Sequence, residues 1–109
     1  MILFQPEHVE MIRTGRKTQT RRLWKRPRAK VGSIQLIKTQ MISPLNFGSV
    51  EVMNVYHEPL GSMTDADAKA EGYDTLEEFR AVWERINGPG SWDPETWVYV
   101  VEFAYLGGE

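Results

Sequence analysis

Apolar and polar positions along this chain alternate with two different periods. Residues 1–4 form a short apolar opening. From Pro6 the spacing turns helical, with Val9 and Ile12 on one face and Met11 beside them. Proline is tolerated in a first helical turn, where its missing N–H has no partner to lose, and Gly15 stands where a left-handed cap would end the helix. Residues 18–23 suit a polar strand, and residues 24–30 a basic loop interrupted by Pro27. Residues 33–40 and 49–57, rich in Ile and Val, read as strands, with Pro44, Asn46 and Gly48 marking the turn between them.

Helical spacing then returns twice. Thr64 with Asp67 three positions on resembles a capping box, and Gly72 would stop that helix. Thr75 and Glu78 repeat the start signal, after which Leu76, Phe79, Val82, Trp83 and Ile86 share one face. Residues 87–90 (Asn-Gly-Pro-Gly) terminate it. Residues 96–106 alternate with both faces largely apolar: Trp97, Tyr99, Val101, Phe103 and Tyr105 on one side, Val98, Val100 and Glu102 on the other. That pattern predicts a central strand. Trp83 and Trp97 are expected in the core. Strands separated by unequal loops, with helices to one side, predict a small curled sheet or barrel of the α+β class. Periodicity does not supply the strand order.

Composition narrows the picture. The 109 residues are enough for one core, so a single domain over 1–109 is expected. Cysteine is absent, which removes disulfides, thiolate nucleophiles and cysteine-bound zinc. His57-Glu58 begins like a zinc-protease helix but lacks the second histidine, so no metal site is expected; no cofactor is expected either. No apolar run approaches the ~20 residues of a membrane span. A cytoplasmic protein is the expectation.

Charge is where the chain departs from an ordinary globule. Net charge is only -2, yet nine of the 13 Lys and Arg residues fall between Arg13 and Lys30. No Asp or Glu occurs between Met11 and Val50. Residues 1–50 carry about +8 and residues 51–109 about -10. Such asymmetry either pairs the two halves or focuses an anionic ligand on one face. Within it, residues 15–22 place Lys17, two threonine hydroxyls and three arginines in one helix-to-strand passage.

Three segments carry a resemblance: residues 15–22; Glu71-Gly72-Tyr73 followed by residues 76–79; and residues 98–103. Together they resemble the ASCH domain (activating-signal-cointegrator homology), a relative of the PUA-like RNA-binding folds, over about residues 3–103. Its hallmark is Gly-x-Lys with a downstream Arg, here Gly15, Lys17 and Arg22. The resemblance implies a PUA-like small β-barrel of five or six strands with flanking helices and a cleft beside the motif. The Lys-Thr-x-Thr form is most similar to the small bacterial 4-acetylcytidine amidohydrolases. That implies a catalytic Lys17, Thr20 and Glu71, and an acylated cytidine or similar nucleoside as substrate. Arg21 and the 24–30 loop are additions to that pattern, and an oligonucleotide rather than a free nucleoside would use their charge.

The residues allow two chemistries. Removing an acyl group from an exocyclic amine needs a nucleophile, a base and oxyanion stabilisation. Thr20 offers the hydroxyl; Lys17 is a base only when neutral, which at pH 7 costs about 4.6 kcal/mol from its reference pKa. Arg16, Arg21 and Arg22 would lower that cost, whereas Glu71 would raise it. Residues three apart in a regular strand face opposite sides, so Lys17 and Thr20 converge only if the chain turns or bulges, expected at Lys17–Thr18. Alternatively, Lys17, Arg21, Arg22, Lys25, Arg26, Arg28 and Lys30 contact phosphates of RNA or single-stranded nucleic acid while Trp24 stacks on a base. Tyr73 either lines the pocket or packs at a helix end. A nuclease is a weaker third reading, since no carboxylate cluster or histidine pair suits a catalytic metal.

Overall fold

Helix signals in the sequence become capped helices in the computed structural model, which describes residues 1–108. The expected domain, 1–109, extends one residue beyond them. Strand β1 (Ile2–Leu3) leads into α1 (Pro6–Arg13), which begins at Pro6 and buries His8, Val9 and Ile12. Glu7 in its first turn and Arg13 in its last complement the helix dipole. The helix ends at Thr14, followed by Gly15 at φ 81°. Strands β2 (Gln19–Arg22), β3 (Ile34–Lys38) and β4 (Ser49–Pro59) follow, then a 3-10 turn at Leu60–Ser62. Helix α2 (Asp65–Ala70) starts in the expected capping box, in which Thr64 Oγ1 accepts from the Asp67 N–H and Asp67 accepts from the Thr64 N–H. In α3 (Leu76–Asn87) the Thr75 side chain accepts from the Glu78 N–H. Strand β5 (Trp97–Gly107) closes the sequence of elements.

The sheet runs β1-β3-β4-β5-β2. Its pairings are antiparallel except for the short parallel β1/β3 contact. The fold is α+β, as expected, but the sheet is not closed into a barrel. Its first and last strands, β1 and β2, are joined in sequence by α1 and pair only with β3 and β5 respectively. Two residues of β1 and four of β2 offer too little edge to meet across the helix.

Strand β5 is interior, as its two apolar faces require, and each face feeds its own core. Val101 and Phe103 pack with Phe4, Val9, Ile12 and Val52 on the side of α1. Val98 and Val100 pack with Leu60, Met63, Phe79 and Trp83 on the side of α2 and α3. Burying a side chain of this kind contributes roughly 1.5–3 kcal/mol, so both layers stabilise the sheet. Trp97 corrects an expectation: it is 56% exposed and lies against His57 rather than in the core. It opens β5 opposite Pro59, beyond the α1-side cluster. Among the described residues, no helix is long and apolar enough to cross a membrane.

Candidate active site

The passage from α1 to β2 is tied down at both ends. The Lys17 N–H donates to the Met11 carbonyl at 2.9 Å, and the Thr18 N–H to the Ala70 carbonyl at 2.7 Å. These bonds break the strand where expected, since β2 begins only at Gln19. They also bring Lys17 against the C-terminal end of α2, where Glu71 is the capping residue. Gly72, at φ 106°, makes this approach possible: a Cβ there would stand 2.7 Å from Met11 Sδ and 3.6 Å from Lys17 Cβ.

Lys17 and Glu71 are each 2% exposed. Lys17 Nζ donates to Glu71 Oε1 at 2.8 Å and to the Glu71 carbonyl at 3.1 Å. Glu71 Oε2 accepts from Arg21 Nη1 at 3.0 Å. Arg21 Nη2 reaches Glu58 Oε2 at 3.0 Å and Asp67 Oδ2 at 3.6 Å, and Nη1 also donates to Gln19 Oε1. Burial pushes the Lys17 pKa below its ordinary 10.5; Glu71 opposes this, and Arg22 and Arg21 add to it. Burial also works against the Arg21 charge, but Glu71, Glu58 and Asp67 outweigh it and hold that pKa above its usual value.

Alternation along β2 puts Thr20 and Arg22 on the opposite face from Gln19 and Arg21. Arg22 Nε donates to Thr20 Oγ1 at 3.0 Å, and its guanidinium lies 4.9 Å from the Phe4 ring centre. Arg22 forms no ion pair among the described residues. Burial brings its pKa down to about 10, against the pull of Glu71, so it stays charged at neutral pH.

These groups meet at a cavity of about 390 Å³ lined by Lys17, Thr20, Arg21, Arg22, Glu71 and His8, with Phe4, Phe79 and Trp83 among its apolar walls. That volume, apolar lining and small set of convergent polar groups are what small-molecule sites have in common. No hydrogen bond joins Lys17 to Thr20 among the described residues; both face the same space.

The remaining candidate residues lie elsewhere. Arg16, Lys25 and Arg26 are exposed and do not line the cavity. Trp24 is half-buried, packed on the α1-side core with its ring 6.4 Å from Tyr99. Tyr73 packs against Phe79 and is hydrogen-bonded to His8 Nε2 at 2.7 Å. Arg21 reaches the cavity margin, but both terminal nitrogens of its guanidinium are held by carboxylates and Gln19 and its Nε is buried without a partner among the described residues, so its charge is not available to a phosphate. Sequence reasoning missed His8, which lies one turn before Ile12 on the buried side of α1. It also missed Glu58 and Asp67, the partners of Arg21; the alternation within β2 was the available signal that Arg21 and Thr20 part company. Among the described residues, no three His, Asp or Glu side chains are grouped to hold a metal ion.

The fold is similar to that of solved ASCH-domain structures. An ASCH domain from Lactobacillus crispatus JV V101 matches with a TM-score of 0.68 at 16% identity, over 92% of this chain and 70% of that one. A protein from Enterococcus faecalis V583 matches with a TM-score of 0.68 at 19% identity, over 93% and 68%. The ASCH protein of Zymomonas mobilis matches with a TM-score of 0.62 at 14% identity, over 94% and 64%, so this chain spans just under two thirds of its length. The sequence itself matches no family model and no curated protein.

Proposed function

We propose that this chain, built on the fold of the ASCH domains, is a metal-independent amidohydrolase that removes an acyl group from the exocyclic amine of cytidine or a related base. One observation carries the reading: an amine and a carboxylate, bonded at 2.8 Å and both shut away from solvent, border a cavity that a threonine hydroxyl also lines. A lysine whose pKa is pushed down by burial, paired with a carboxylate in such a pocket, is the usual signature of acid–base chemistry. A cytoplasmic setting goes with a nucleoside or RNA substrate.

In this mechanism neutral Lys17 takes the Thr20 Oγ1 proton as the oxygen attacks the acyl carbon. Charge then develops on the acyl oxygen, and Arg22, which no carboxylate neutralises, stabilises it. The carbon–nitrogen bond breaks as the Lys17 ammonium returns its proton to the exocyclic nitrogen, releasing the amine. Water, deprotonated by Lys17, then attacks the threonyl ester; its carbon–oxygen bond breaks as the Lys17 ammonium returns the proton to Thr20 Oγ1, which gives the carboxylic acid and restores both groups. Glu71 orients Lys17 through two contacts and stabilises its ammonium between the transfers. Such hydrogen bonds often tighten only once substrate is bound, which accommodates the separation of Lys17 and Thr20 here.

A second reading, a non-catalytic RNA-binding module, rests on a different observation. Lys25, Arg26, Arg28 and Lys30 are all exposed and form no ion pair among the described residues. Incubation with 4-acetylcytidine separates the two. Loss of the amide, followed by its ultraviolet shift, supports the enzyme; no turnover, with RNA binding that weakens as salt rises, supports the module.

A further inference from the structure

Strand β2 is the last of the sheet, and three of its four residues, Thr20, Arg21 and Arg22, line the cavity. In an antiparallel ladder the main-chain groups of alternate residues point at the neighbouring strand, and those between them point away. The Phe103 N–H donates to the Thr18 carbonyl at 2.9 Å, and Thr20 and Arg22 stand opposite Val101 and Tyr99. Thr18, Thr20 and Arg22 therefore supply the bonds to β5. The N–H and C=O of Arg21 point outward, and neither has a hydrogen-bond partner among the described residues. Arg21 lines the cavity, yet its side chain is 0% exposed while the whole residue is 5% exposed. The part of Arg21 that meets the cavity is its backbone.

We propose that this main-chain pair is the base-reading subsite: the Arg21 N–H donates to, and the Arg21 C=O accepts from, one edge of a flat heterocycle. The ligand class is a ring that carries an acceptor beside a donor. In an acylated cytidine these are the ring nitrogen N3 and the N–H of the acylated amine; in cytidine, N3 and the free amine. Ligand and strand edge then bond as a further strand would. The identity of the base rests on the amidohydrolase reading; the donor–acceptor pair does not.

This assigns the Arg21 side chain a positioning role. Anchored on the other face of the strand by Glu58, Glu71, Asp67 and Gln19, it fixes the segment whose backbone faces the ligand. The same Glu71 holds Lys17, so base-reading and acid–base groups share one rigid support. Gln19, whose main chain also points outward, is not among the cavity-lining residues, and Leu23, which is, lies beyond the end of β2, so the paired strand offers the cavity a single pair.

Amide hydrogen exchange of the 15N-labelled protein, with and without cytidine, tests this. Cytidine is expected to slow exchange at Arg21 by about tenfold or more, while Thr20 and Arg22, already bonded to β5, change little. In 3-deazacytidine a C–H replaces N3; it should bind about tenfold more weakly, the worth of one neutral hydrogen bond, and leave the Arg21 amide unprotected. Cytidine that fails to bind, or binds without slowing Arg21, overturns the proposal, as does equal affinity for 3-deazacytidine. Protection of Arg21 without hydrolysis of 4-acetylcytidine would keep the subsite and remove the enzyme. Hydrolysis without protection would do the reverse.

Discussion

Lys17 and Glu71, 54 residues apart, are joined at 2.8 Å with neither more than 2% exposed. Removing one member of a buried pair leaves the other charge stranded, which commonly costs about 3–5 kcal/mol. The two members are not equivalent here, because Glu71 also neutralises Arg21. Glu71→Gln should therefore destabilise by about 3–5 kcal/mol, and Lys17→Met by less, about 1–3 kcal/mol. Urea unfolding of both variants checks the order, which reverses if Glu71 does not serve both cations.

Gly72 holds the carboxylate in place. Its φ of 106° is strained for any L side chain, and an added Cβ would meet Met11 Sδ at 2.7 Å. Gly72→Ala should cost about 1–3 kcal/mol and shift Glu71 relative to Lys17. Activity is expected to fall further than this loss of stability alone would cause at 25 °C. A variant as stable and active as the parent would show that Gly72 is not required there.

Acid should weaken the fold through His8. Burial, with Lys17, Arg22 and Arg85 nearby, brings its pKa from 6.5 down to about 4, although Glu7 opposes the shift. Between those values the unfolded chain binds the proton and the folded one does not, so stability falls as pH drops from about 6.5 towards 4. Allowing for solvent screening, the effect is on the order of 1–2 kcal/mol. Urea midpoints at pH 7 and pH 5 measure it, and in His8→Leu the His8 share of this drop should vanish.

The basic loop offers a separate test. Replacing Lys25 and Arg26 with Gln should weaken RNA binding at low salt and reduce the slope of log affinity against log salt by roughly 1–2. Hydrolysis of a free nucleoside should be unchanged, because neither residue lines the cavity. An equal loss of both activities would place the loop in the site.

Much of this arrangement was legible from local chemistry. Thr64 and Thr75 announced their helices because capping is decided within four residues, and the two apolar faces of residues 96–106 marked an interior strand. The meeting of Lys17 with Glu71 was expected only through resemblance to a family, since no spacing rule connects residues so distant. Strand order was illegible for the same reason: register along a sheet is set by contacts between distant segments. Arg21 shows a different limit. Counted as one more cation on a basic stretch, it turns inward because alternation puts it opposite Thr20, where three carboxylates from β4, α2 and the end of α2 await it. Trp97 was misplaced because alternation assigns a side chain to a face of the sheet without saying whether anything covers that end of it.

The most direct measurement is kcat/KM for 4-acetylcytidine in the parent protein and in Lys17→Met, Thr20→Val and Glu71→Gln, each confirmed folded under assay conditions. The parent should turn over with a rate that climbs as pH rises through the lowered Lys17 pKa, because the base works only unprotonated. Each variant should lose on the order of 100-fold or more, the usual range for a group engaged in proton transfer or nucleophilic attack. A parent protein that leaves the acyl group in place, or three variants as fast as the parent, would contradict the assignment.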